Sequence, residues 1–403
     1  MARFHQPRRC TFAGLVVLCS LLVYPVISSP ALAAQPGGAS RACSDVEVPV
    51  ALAEGQPATE HIYGRLCVPA GRSPDTIQLL VHGIISTGDY WEFPDPTSGT
   101  DRYNYAAAAN EAGFATLAID RIGSRHSSHP LSTTITIDSN AYTVHQLVQA
   151  IRSGAVRSPD GEPFDKVVFV GHSYGTFIGW YELTRYDDVD AAVFTAAFEE
   201  VTVTASLVVP TSTYPAFLDP AFAGQGLDPG YLTTLPGTRD EMVYEPAEVD
   251  PAVVAHDEAT KSTMTQWETS NYPLILNTPL DIKVPVLLVA GELDSLFCKE
   301  NLAAIPPPAG GSGPIGGAIG DLTAPLEDAT LPQSKEVTGS RLGGAHCDSP
   351  QALIADEQTH LGPNMPSVDA FVLPDAGHML NQALNSGEYF AATNDWIATT
   401  LDS

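Results

Sequence analysis

The chain has 403 residues, 44% of them apolar and 16% charged, enough to bury a full core as one large domain or two small ones. Against 47 Asp and Glu stand only 19 Lys and Arg, a net charge of −28 that repels a phosphate backbone or an anionic membrane surface. These values argue against disorder, a fibrous repeat and nucleic-acid binding, and favour neutral or cationic small-molecule substrates.

In chain order, Arg3, Arg8 and Arg9 precede an apolar run from Phe12 to about Ile27, and Ala31-Leu32-Ala33 offers small residues at the positions a signal peptidase reads. The sequence thus predicts an export signal over 1–33, cleaved near Ala33, and a secreted protein without a stable membrane anchor. The apolar run of ~16 residues is shorter than the roughly 20 a bilayer span needs, and Pro25 interrupts it. Arg8-Arg9 leaves open the general or the twin-arginine export route. Loss of the leader removes Cys10 and Cys19 and leaves Cys43, Cys67, Cys298 and Cys347, an even set that predicts two disulfides in an exported chain. Of three possible pairings, Cys43 with Cys67 and Cys298 with Cys347 closes the shortest loops. No CxxC or HxxxH spacing points to a metal site, and neither metal nor cofactor is expected.

Ile62 to Val68 and Ile77 to Val81 are apolar, β-branched runs bounded by Pro and Gly and predict strands. Tyr105 to Ala112 predicts a helix, Phe114 to Ile119 a strand, Val144 to Ile151 a helix, Val167 to Val170 a strand and Thr176 to Tyr186 a helix. Further strands follow at Ala191 to Ala196, Val284 to Ala290 and Ala370 to Leu373, with a closing helix near Tyr389 to Leu401. Such alternation implies an α/β fold with a mostly parallel sheet flanked by helices. Residues 200–280 break the rhythm with no clear strand; they concentrate Tyr214, Phe217, Phe222, Tyr231, Tyr244, Trp267 and Tyr272 and read as a cap over the sheet's C-terminal edge. Residues 306–344, rich in Gly and Pro, read as a long surface loop with Cys298 and Cys347 at its ends.

Gly171-His172-Ser173-Tyr174-Gly175 lies between a predicted apolar strand and a predicted helix, with Ser173 at the tip of the turn. Here the chain resembles the α/β-hydrolase family, whose nucleophile elbow G-x-S-x-G sits in that context and makes the serine a nucleophile. A serine hydroxyl needs a base to take its proton and a carboxylate to orient that base. The resemblance implies the chain order serine, acid, histidine. It places the acid at Asp294, just past the strand Val284 to Ala290, and the histidine at His378, after the last strand. Glu199 and Glu200 are rivals for the acid, since some family members keep theirs after the preceding strand. Glu292 and Asp375 read as turn residues, and His346, beside Cys347, as a loop residue.

In the family, one oxyanion donor is the backbone N–H after the nucleophile, here Tyr174. The other comes from the loop after an early strand, which places it at Ile84, with Ile85 as alternative, and makes His82 a brace for that loop. Asp120-Arg121-Ile122-Gly123 resembles a structural turn of the family. Over 34–403 these features imply an α/β-hydrolase domain acting on small-molecule esters through Ser173, His378 and Asp294. Tyr90, Trp91 and Phe93, with the cap aromatics, point to an apolar acyl or aryl pocket. Three other functions stay open: an exported aminopeptidase using Asp240, Glu241, Glu245, Glu248 or Asp250 to hold a substrate amine, a lyase using the same triad, and a noncatalytic binder.

Overall fold

The computed structural model describes residues 41–299 and 343–402. The predicted leader, residues 1–33, and nearly all of the Gly/Pro-rich stretch at 306–344 lie outside the described residues.

The core is an eight-stranded sheet. Its strands are β1 (Arg41–Val50), β2 (Glu60–Pro69), β3 (Thr76–Val81), β4 (Ala115–Ile119), β5 (Lys166–His172), β6 (Ala191–Thr195), and two later ones, β10 (Val286–Gly291) and β11 (Val368–Leu373). They lie in the order β1-β2-β4-β3-β5-β6-β10-β11. β1 pairs antiparallel with β2, and β2 antiparallel with β4, while every other neighbouring pair is parallel. The inner strands β3, β4, β6 and β10 are buried along their whole length, as a sheet covered on both faces requires. The edge strand β1 escaped sequence reading because Arg41, Ser44, Asp45 and Glu47 interrupt its apolar residues, so it lacks the continuous apolar run of the inner strands.

Helices α1 (Tyr105–Ala112), α2 (Ile137–Arg152) and α3 (Tyr174–Tyr186) follow β3, β4 and β5. Asn104 caps α1 by accepting from the Ala107 N–H, and Gly113, at φ 106°, ends it. α2 starts two turns before its expected first residue, because Thr136 and Ser139 form a reciprocal capping box that carries no Glu or Gln to announce it. Ile137 to Thr143 therefore lie outside the helix expected over Val144 to Ile151.

Between β6 and β10, the segment predicted to lack strands holds a small antiparallel sheet. Its strands are β7 (Thr213–Pro215), β8 (Tyr231–Thr234) and β9 (Met264–Thr265), in that order. With two to four residues each, they are too short to show an alternation. Short helices α4 (Val203–Thr211), α5 (Arg239–Val243), α6 (Pro251–Ala259), α7 (Gln266–Ser270) and α8 (Tyr272–Leu276) surround them. Past β10 come α9 (Pro350–Glu357), β11 and the closing helix α10 (Ser386–Asp402).

Both disulfides close the local pairing. Cys43 and Cys67 face each other across β1 and β2, with Cα atoms 4.1 Å apart, and Cys298 bonds Cys347. No helix among the described residues is long and apolar enough to cross a membrane.

Candidate active site

Strand register brings the three candidate residues together. Val81 stands opposite Gly171, so the loop after β3 and the turn after β5 leave the sheet side by side. Gly291 stands opposite Leu373 at the ends of β10 and β11, which sets Asp294 and His378 in adjacent turns.

Ser173 occupies φ 54°, ψ −121°, a strained conformation for a non-glycine residue, and its N–H is fixed by the Thr195 carbonyl at 2.8 Å. Thr176 Oγ1 braces the turn by donating to the Gly171 and Thr195 carbonyls, each at 3.1 Å. Both flanking glycines are required by space. A Cβ at Gly171 would lie 2.7 Å from the Gly175 and Thr176 backbone, and one at Gly175 would fall on the Val81 carbonyl oxygen.

His378 Nε2 lies 2.9 Å from Ser173 Oγ and Nδ1 lies 2.9 Å from Asp294 Oδ2. With Nδ1–H donating to the carboxylate, Nε2 is left to accept from the serine hydroxyl. Asp294 is fully buried, and its other oxygen accepts from the Leu296 N–H at 2.9 Å. The turn carrying it continues into Cys298, whose N–H donates to the Asp294 carbonyl at 2.9 Å. Phe297 stacks on the His378 ring, with 5.8 Å between centroids.

The rivals have other partners. Glu199 is paired with His360 at 3.3 Å, and its N–H donates to Glu357. Glu292 accepts from the Asp375 N–H at 3.2 Å, and His346 Nδ1 contacts Asp356 at 2.9 Å. His82 donates from Nδ1 to the Gly83 carbonyl at 2.7 Å and accepts at Nε2 from the Arg121 N–H at 3.1 Å. Burial, then the nearby Arg121 charge, pushes its pKa well below the usual histidine value, so it stays neutral. His172 is likewise held neutral by burial and by His378; its Nδ1 lies 3.1 Å from both Tyr90 Oη and Thr195 Oγ1.

The site opens on a cavity of about 730 Å³. Ile84, Ile85, His172, Ser173 and His378 form its floor, and Val209, Leu232, Met264, Tyr272 and Leu276 from the 200–280 segment contribute apolar walls. Of the aromatics expected around it, Tyr214 and Tyr272 line the cavity; Tyr90, Trp91 and Phe93 pack into the core, and Phe217 and Trp267 are exposed. Among the described lining residues there is no Asp or Glu.

One lining residue escaped the sequence reading. Arg239 is 1% exposed, donates through Nε and Nη2 to Asp257 at 2.8 and 2.6 Å, and reaches the Ile85 carbonyl with Nη1 at 3.4 Å. Ile85 has φ 57°, and its carbonyl also accepts from the Ser262 N–H at 3.0 Å, so the β3 loop is pinned from above. The signal was compositional: Arg239 and Lys261 are the only cations in residues 200–280, and each is buried against acids.

A mostly parallel sheet with a serine on a strained strand–helix turn, beside a histidine and an aspartate, defines an α/β protein of the hydrolase type. A model of the alpha/beta hydrolase family matches residues 78–392, and the chain belongs to that family. Solved structures similar to it include an esterase from Rhodococcus sp. ECU1013, at 14% identity over 85% of this chain and 96% of that one, TM-score 0.46. Others are an enol-lactonase from Burkholderia xenovorans LB400, at 16% identity over 88% and 100% with TM-score 0.46, and a carboxylesterase from Bacillus subtilis, at 14% over 89% and 92% with TM-score 0.47. No curated protein matches the chain.

Proposed function

We propose that this hydrolase cleaves carboxylic esters, with Ser173 as nucleophile, His378 as general base and acid, and Asp294 as the residue that orients His378. The carrying observation is the unbroken row Ser173 Oγ, His378 Nε2, His378 Nδ1, Asp294 Oδ2, with 2.9 Å at both contacts. Ser173 Oγ attacks the acyl carbon while its proton passes to Nε2, and Asp294 stabilises the resulting imidazolium. His378 then returns the proton to the leaving alkoxide, and water activated at the same nitrogen releases the acid and restores the serine. The N–H of Tyr174, at the start of α3, and that of Ile84, which lines the cavity beside Ser173, are assigned to the oxyanion.

The 200–280 segment serves as the cap that selects the substrate. A cavity of about 730 Å³ with apolar walls suits a bulky acyl or aryl ester. An aminopeptidase would have to hold a substrate ammonium, and Asp240, Glu245, Glu248 and Asp250 do not line this cavity. The charged side chain among the described lining residues is Arg239, a cation that would repel an ammonium. Two disulfides support export of the mature chain.

The test compares p-nitrophenyl acyl esters, short and long, with aminoacyl anilides, alongside labelling by a fluorophosphonate. Ester turnover and an adduct on Ser173 are expected. Faster anilide turnover would move the protein to the peptidases, absence of an adduct would make it a binder, and products without oxygen-18 from labelled water would make it a lyase.

A further inference from the structure

At the far end of α3 from Ser173, about 13 Å along the helix axis, a second cluster of ionisable groups lies between α2 and α3. His145 from α2, Glu182 from α3 and Asp188 just beyond α3 bring one ligand atom each within 4.8 Å of one another. Asp187 adopts the left-handed conformation at φ 47°, which turns the chain back at the end of α3, and Arg152 holds the Asp188 carbonyl from Nε and Nη2 at 3.2 and 3.0 Å. Asp188 Oδ2 accepts from Gln149 Nε2 at 2.7 Å and faces His145 Nδ1 at 2.7 Å. The His145 ring is braced by Tyr186, stacked at 3.8 Å.

The unusual member is Glu182. Its residue is fully buried, and neither carboxylate oxygen has a hydrogen-bond partner; Asp188 Oδ1 is buried and unpartnered as well. Two neighbouring carboxylates thus leave three buried oxygens, both of Glu182 and Asp188 Oδ1, without an N–H donor, an arrangement that is unfavourable unless a proton or a cation neutralises it. A single shared proton removes one charge and pairs two of these oxygens but leaves the third without a donor. A divalent cation removes both charges and occupies the lone pairs.

We propose that His145, Glu182 and Asp188 form a zinc site that ties α2 to the end of α3. Tetrahedral zinc, with bonds of ~2.0–2.1 Å, sets its ligands about 3.3 Å apart. The His145 Nδ1 to Asp188 Oδ2 contact is 2.7 Å and the His145 Nδ1 to Glu182 Oε1 contact 3.8 Å, distances that bracket that spacing. One imidazole with two carboxylates suits zinc better than magnesium or calcium, which take oxygen ligands. Water fills the fourth position, since the His145 side chain is 21% exposed and Asp188 13%. Zinc at Nδ1 leaves the imidazole proton on Nε2.

The experiment uses tag-free full-length protein stripped with chelator, titrated calorimetrically with zinc chloride and followed by thermal melting, with magnesium as comparison. Zinc should bind at one per chain and raise Tm, magnesium should do neither, and X-ray absorption should report a nitrogen/oxygen first shell including one imidazole. Glu182→Gln and His145→Ala should each weaken zinc binding at least 100-fold. Metal-free Glu182→Gln should melt at or above the wild-type temperature, because the amide keeps the shape and offers Asp188 an N–H donor, and this separates loss of a ligand from loss of the fold. No zinc binding to the wild type, or equal binding to both variants, would overturn the site and leave a proton-sharing acid pair.

Discussion

His378 Nδ1 and Asp294 Oδ2 meet at 2.9 Å across 84 residues of sequence because Gly291 and Leu373, near the two turns that carry them, are partners in neighbouring parallel strands. Asp294→Asn keeps the shape but offers the imidazole a donor where it needs an acceptor. kcat on an ester substrate should fall about 10⁴-fold with little change in Tm. Retention of most activity, or an equal loss in Glu199→Gln, would move the acid elsewhere.

Glu92 provides a pH test. Burial outweighs the attraction of Arg65 and raises its pKa to about 7. The unfolded chain releases this proton near the ordinary glutamate value and the folded chain only near 7, so between those points the folded state binds more protons and stability falls as pH rises. Its contribution is complete loss of up to about 3 kcal/mol above pH 7 relative to acid conditions. Glu92→Gln should flatten the slope of Tm between pH 5 and 7 and melt higher than wild type at pH 8; parallel curves for the two proteins would contradict the shift.

Arg121 and Glu268 form an ion pair of 2.5 Å with both side chains 2% exposed, joining the turn after β4 to α7. Asn140 Oδ1 also accepts from Arg121 at 3.1 Å. Glu268→Ala leaves the guanidinium buried without its counter-charge and should cost about 3–5 kcal/mol in urea unfolding. A loss below 1 kcal/mol would mean that water reaches Arg121 and the helix is loosely held.

The bond between Cys298 and Cys347 spans a sequence separation of 49, and loop-entropy arguments give it about 4 kcal/mol. Because the Cys298 N–H also donates to the Asp294 carbonyl, replacing both cysteines by serine should lower kcat as well as Tm. The matching pair of substitutions at Cys43 and Cys67, across β1 and β2, should lower Tm alone. Equal kinetic effects from both pairs would sever the link between this disulfide and the acid turn.

The parallel core was readable in the chain because most of its strands are short, largely apolar runs, β10 closing on Gly291, and α1 was bounded by a cap and a Gly at its own ends. The elbow was readable for a similar reason: a motif of five residues contains its own steric requirement. What stayed hidden depends on partners distant in sequence. Arg121 finds Glu268 147 positions away, and Ile85 takes φ 57° beneath an Arg239 hydrogen bond 154 positions on. Tyr90, Trp91 and Phe93 illustrate the converse, since hydrophobicity marks a residue for burial without saying whether core or cavity receives it.

The space denied to a methyl group at Gly175 has a practical meaning for redesign. With the Val81 carbonyl where that carbon would go, β3, its loop and the nucleophile helix behave as one rigid block, and variation there sacrifices reactivity first. Val209, Leu232 and Leu276 line the cavity from three separate elements, so a mutant library confined to them can retune which acyl groups enter while the attacking hydroxyl keeps its aim.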